Sequence, residues 1–231
     1  MVKWFADRSG RFPQRPHYEM EELDRECERL VNAFLRKKHR RAGYPISTED
    51  LTILVEQEVG DLDLYAELDE GVEGVTDFFR GRKPEVRIAR ELSEDTWWEN
   101  RLRTTLTHEL GHVKFQDFLW FFKQDPLPSP FAAANTGSVI FSPTCKRDSM
   151  LETSQIDWLE WQAGYACGAF LMPITALRRS TDEFLDKRGL TEMLTLDTPS
   201  GQELIRHTMK VFQVSADAAR VRLLKRGYLI T

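Results

Sequence analysis

Three side chains within five residues could do chemistry together. His108, Glu109 and His112 form a His-Glu-x-x-His pattern in the stretch Thr107-His108-Glu109-Leu110-Gly111-His112. On a helix of 3.6 residues per turn, positions four apart share a face, so His108 and His112 can offer two imidazoles to one cation. Glu109 is rotated off that axis, where a carboxylate can hold and deprotonate a water instead of binding the ion. This is the residue set of zinc-dependent peptide hydrolysis: two helical His as metal ligands, with the Glu as general base.

The flanks predict the helix that this pattern requires. Leu102, Leu106, Leu110 and Val113 form an apolar stripe that seats one face in a core. Thr96 with Glu99 three residues later has the form of a capping box at the helix start.

A catalytic zinc site keeps three protein ligands and one open position. The residues after His112 are Val113-Lys114-Phe115-Gln116-Asp117-Phe118, without the third His of the tight extended motif. The downstream candidates are Glu152, Asp157, Glu160 and His207. Glu160 is the best of them. It lies mid-helix beside Trp158, Trp161 and small residues, where burying a carboxylate is costly unless it is paired or bound to metal. Asp157 sits near a helix start, where it complements the dipole. Tyr165 and His207 are candidates for stabilising the oxyanion that peptide hydrolysis generates. Cys145 lies beside Lys146 and Arg147, two cations expected to lower its thiol pKa. From there its thiolate could fold onto the metal as a regulatory latch.

The elements around these residues are legible in outline. Residues 1–16, with Gly10, Pro13 and Pro16, read as an irregular arm. A helix is expected over 18–41, and its basic end, residues 36–41, reads as a solvated helix terminus suited to the dipole. A short helix follows Ser47. Three strands are expected at 62–68, 75–79 and 86–89, making a small antiparallel sheet before the motif helix. An edge strand of that sheet could hold an extended peptide by main-chain pairing. The Pro- and Gly-bearing stretch 124–150 reads as a long loop and a candidate lid, with a brief strand at 139–141. Helices follow over 153–172, 174–188, 200–212 and 216–226. The fold class is α+β with a mainly helical C-terminal part.

The chain of 231 residues has 41% hydrophobic residues, enough for a buried core, and a net charge of −5, which gives no overall pull toward nucleic acid or membrane. Three widely spaced Cys make no disulfide framework and point to a reducing compartment, so a cytoplasmic location is expected. A second functional class is a DNA-binding regulator with a structural metal, supported by Arg220, Arg222, Lys225 and Arg226 near the C-terminus. Retention of Glu109 argues against a pseudoenzyme that only binds peptide.

With His108-Glu109-Leu110-Gly111-His112, the stretches Asp157-Trp158-Leu159-Glu160-Trp161-Gln162-Ala163 and Leu171-Met172-Pro173 give the chain a resemblance to the ImmA/IrrE family of metallopeptidases. The tail from Phe212 to Leu223 is similar to that family's helix-turn-helix-like end. The resemblance runs from about Tyr44 to the C-terminus. Residues 1–43, an N-terminal arm and helix, lie outside it; it implies a zincin-like metallopeptidase core over 44–173 and a helical region over 174–231. It also implies Zn²⁺, or alternatively Mn²⁺, and a helix-turn-helix transcriptional repressor as protein substrate, often encoded nearby on a mobile element or in a stress circuit. Two departures bear on the substrate cleft. The family's Asn and Phe positions hold Gly164 and Ala166, and the spacing from His112 to Glu160 is long.

Overall fold

The computed structural model describes residues 3–79, 81–117, 119, 139–146 and 157–231. Sequence order is β1 (Lys3–Ala6), β2 (Gln14–His17), α1 (Met20–His39), α2 (Thr48–Glu58), β3 (Asp61–Ala66), β4 (Val72–Phe79), β5 (Arg82–Ala89), α3 (Arg90–Glu94) and α4 (Glu99–Gln116). Then come β6 (Val139–Phe141), β7 (Thr144–Lys146), α5 (Trp158–Leu171), α6 (Ile174–Arg188), β8 (Leu194–Thr195), α7 (Pro199–Phe212), α8 (Ala216–Lys225) and β9 (Leu229–Ile230). The class is α+β, as the sequence predicts.

The principal sheet has the order β3-β5-β4-β6, with β7 also on β4. It is antiparallel except at one edge, where β3 runs parallel to β5. The three strands expected before the motif helix all form, each with shifted ends. The edge strand expected to take a peptide is different: β6 and β7 already cover the outer side of β4. The arm also departs from expectation. Residues 3–17 form a hairpin in which Lys3 pairs with His17 and Ala6 with Gln14. Asp7 shapes its turn by accepting hydrogen bonds from the backbone N–H groups of Ser9 and Phe12.

Helix ends follow local chemistry. Ser47 caps α2 by accepting from the Asp50 N–H, and Ser215 caps α8 through Ala218. The motif helix does not start on the expected Thr96–Glu99 box. Asp95 instead caps a short 3-10 turn through the Trp97 N–H, and α4 follows from Glu99. The Glu99 side chain turns to Thr48, accepting its hydroxyl at 2.7 Å. Gly189 ends α6 at φ +63°, a left-handed position that suits glycine. The basic end of α1 is partly tied down: Lys38 and His39 both reach Asp50.

One continuous core takes Cys27 and Val31 from α1, Leu106 and Leu110 from α4, Phe170 from α5, and Leu204 and Leu223 from α7 and α8. It thus draws on residues from both ends of the chain and from the motif helix. The expected loop 124–150 lies outside the described residues apart from 139–146, and so do Glu152 and the expected helix start at Thr153. Among the described residues, no helix is long and apolar enough to cross a membrane.

Candidate metal centre

α4 is placed by its sequence on two sides. Its Leu stripe enters the core, while Gly111 lets α5 cross at close range. A Cβ at position 111 would lie 2.9 Å from the Ala163 Cα and 3.1 Å from the Ala163 carbonyl oxygen. The small residues in the middle of α5 are the other half of this crossing, and Cys167 adds a contact of 3.3 Å from its Sγ to the Thr107 hydroxyl. The crossing carries Glu160, in the first turn of α5, over the two imidazoles of α4.

Three donor groups converge there. The Nε2 atoms of His108 and His112 are 3.1 Å apart, and the Glu160 carboxylate lies 3.2 Å from His108 Nε2 and 3.4 Å from His112 Nε2. Both His are fully buried. Tetrahedral coordination at about 2.0–2.1 Å separates neighbouring donor atoms by about 3.3 Å, so these spacings fit a single ion of zinc type. The protonation pattern fits as well. His112 Nδ1 lies 2.8 Å from Gln116 Oε1, while the Gln116 amide donates to the Leu159 carbonyl. Gln116 therefore accepts from the Nδ1–H of His112, which aims Nε2 and its lone pair at the cluster.

The electrostatics of the cluster also attract positive charge. Burial opposes charge on His112, but the facing Glu160 carboxylate outweighs it and raises the imidazolium pKa to about 9. Burial lowers His108. Burial also works against ionisation of Glu160, yet the two His hold its carboxyl well below the usual range. Two imidazoles facing a carboxylate at this spacing favour a positive charge among them, and a divalent cation can supply it in place of the proton.

Glu109 stands beside this triad on the β4 side. Its Oε2 accepts the Thr76 hydroxyl at 2.6 Å. Its Oε1 is buried without a hydrogen-bond partner. Burial raises its carboxyl to about 7, against the pull of His112 and Thr76. Gly74 makes room for it: a Cβ there would lie 2.5 Å from Glu109 Oε1 and 2.8 Å from Thr105 Cγ2. A base with a raised pKa and a free acceptor next to a cation site is suited to moving a proton at neutral pH.

The other candidates fall elsewhere. Asp157 precedes α5 and forms a two-pronged pair with Arg11 at 3.0 and 2.8 Å, away from the triad. Tyr165 is turned from the site toward α1. Its hydroxyl donates to Asp24 at 3.0 Å and its ring lies under Arg222, so it is a packing residue and not an oxyanion donor. His207 is likewise removed from that role, since it lies against Phe184 with Nε2 2.9 Å from the Ser180 hydroxyl. Cys145 does reach the site, with Sγ within 4.8 Å of donor atoms on His108 and Glu109. Its environment is the reverse of the one expected, however. Burial and the nearby Glu109, Glu160 and Glu73 push the thiol pKa up.

Three of the C-terminal cations have acidic partners, and one of these pairs is buried. Arg222 is buried and meets Asp24 at 2.6 Å, Arg226 meets Glu21 at 3.2 Å, and Arg220 meets Asp217 at 3.6 Å. Thr76, Gly74 and Gln116 are the site residues that sequence reasoning missed. Only Gln116 carried a local signal, one helical turn beyond His112. Compared with known proteins, the chain matches no family model and no curated sequence.

Proposed function

We propose that this protein is a metal-dependent endopeptidase of zincin-like build. The observation that carries the reading is the convergence of His108, His112 and Glu160 at 3.1–3.4 Å with the buried Glu109 carboxylate beside them. Two imidazoles and one carboxylate suit Zn²⁺ first and Mn²⁺ second. A cation bound there would polarise a scissile carbonyl and make water acidic enough to deprotonate near neutral pH. Glu109 takes that proton on Oε1, held in place by Thr76, and returns it to the leaving amine. Gln116 keeps the His112 tautomer that presents Nε2.

The resemblance to the ImmA/IrrE metallopeptidases supports a site-specific cut in a helix-turn-helix repressor, and such a substrate would put the enzyme in the cytoplasm. The DNA-binding alternative is weakened by the burial of Arg222 against Asp24, which takes one of its four supporting cations out of reach of phosphates.

The test is metal analysis with a cleavage assay on purified repressor, with and without chelator. Glu109→Gln is expected to keep its metal and lose cleavage by at least ~100-fold. Glu160→Ala is expected to lose the metal itself. Unchanged cleavage by Glu109→Gln would remove the general-base role. Full metal occupancy in Glu160→Ala would move the third ligand elsewhere.

A further inference from the structure

A protein substrate that pairs with this sheet needs a free strand edge, and the edge beside the metal centre is the outer side of β4. The chain covers it with its own residues. β6 lies antiparallel on β4, with Phe141 opposite Phe78 and Val139 opposite Phe79. β7 continues along the same edge, with Thr144 opposite Val75 and Cys145 opposite Gly74. Between them the Thr76 N–H donates to the Pro143 carbonyl at 3.4 Å. Thr76 and Gly74 are the β4 residues that hold and accommodate Glu109.

Directly paired residues project on the same face of a sheet and neighbours along a strand alternate. Cys145 therefore shares the face of Gly74 toward α4, is fully buried, and reaches to within 4.8 Å of His108 and Glu109 donor atoms. Thr144, one residue earlier, is exposed on the other face.

Resting on the peptidase reading above, we propose that residues 139–146 are an internal occupant of the peptide-binding edge. They lie antiparallel on β4 where an extended substrate would pair, place Cys145 in front of Glu109 and His108, and must be displaced before a protein substrate can bind. The seat is built for release. It consists of two three-residue strands separated by Ser142 and Pro143, and Pro143 has no N–H to give. Val139 at its start is half exposed. The displacing partner is an extended peptide with a small side chain opposite Gly74, because that position faces the packed Glu109 and Thr105 side chains.

The full-length, metal-loaded protein tests this with Phe141→Ala and Thr144→Pro. Both loosen the seat without touching a metal donor, and two variants guard against one that fails to fold. Native Cys145 is expected to react with Ellman's reagent at least ~10-fold faster in the loosened variants, the gain disappearing when Cys145→Ser is added. A fluorescein-labelled peptide with the sequence of residues 139–146 is expected to bind the variants at least ~10-fold more tightly than wild type, since an occupied site lowers apparent affinity by its open fraction. Repressor cleavage should rise in parallel at unchanged metal content. Tighter peptide binding with no cleavage by any variant would sustain the strand proposal and overturn the peptidase reading. A thiol that becomes reactive while peptide affinity and cleavage stay at wild-type values would overturn the strand proposal and leave the peptidase reading standing.

Discussion

Gln116 illustrates how a residue outside the donor set can govern a candidate metal site. By accepting from His112 Nδ1 at 2.8 Å and donating to Leu159 at 2.8 Å, it fixes the ring's tautomer and ties α4 to the first turn of α5. Partners of this kind are commonly worth ~10–100-fold in metal affinity. Gln116→Ala is therefore expected to raise the zinc dissociation constant by that factor while leaving the helical circular dichroism unchanged, as competition with a chromophoric chelator would measure. Gln116→Glu, which keeps the acceptor, should recover much of the loss. Glu109 depends on its surroundings in the same way: Thr76 holds one oxygen and the bare backbone of Gly74 leaves space for the other.

Among elements, the crossing of α4 and α5 decides whether a site exists, because two candidate ligands come from one helix and the third from the other. Gly111 is where the helices meet most closely. Gly111→Ala is expected to cost ~1–3 kcal/mol of stability through overpacking, since the nearest atoms are backbone and cannot step aside. It should also weaken metal binding, because Glu160 moves away as the helices separate. Urea denaturation and metal titration on the same variant measure both effects. The joint between α1 and α2 makes a pH-dependent contribution. Burial acts to raise Asp50, but Lys38, His39 and the Ser47 cap outweigh it, and its pKa lies below the ordinary 3.8. A carboxylate with a lowered folded pKa stabilises above its unfolded value and loses that contribution as pH falls through the folded value. The stability gap between wild type and Asp50→Asn should thus be full at pH 6 and shrink below about pH 4, as read by urea midpoints across that range.

At the scale of the whole molecule, the candidate metal centre joins elements far apart in sequence. α4 and α5 flank a long connection, α1 packs on α5, and α8 is held by the buried Arg222–Asp24 pair. A ligand that binds only the folded chain stabilises it by mass action, by about 4 kcal/mol at a thousandfold excess over Kd. Chelation is therefore expected to lower the Tm by on the order of 10 °C for a chain of this length. Restoring Zn²⁺ should return the Tm, and Glu160→Ala should show no such response to metal.

The sequence by itself determined what is local. The spacing of His108, Glu109 and His112 with the Leu stripe specifies an amphipathic helix and a two-imidazole face, because helical periodicity is a property of the chain alone. The same holds for the α+β order of elements and for Glu160, singled out by the cost of burying a carboxylate among apolar neighbours. Only the tertiary structure decided which distant groups meet. Tyr165 and His207 have the right chemistry for an oxyanion site, yet packing commits them to Asp24 and Ser180. Thr76 and Gly74 carry no motif, and strand register alone brings them to Glu109. Cys145 next to two cations in sequence predicts an acidic thiol, whereas burial beside three carboxylates makes it the opposite, because solvation and through-space charge are set by the fold and not by sequence neighbours.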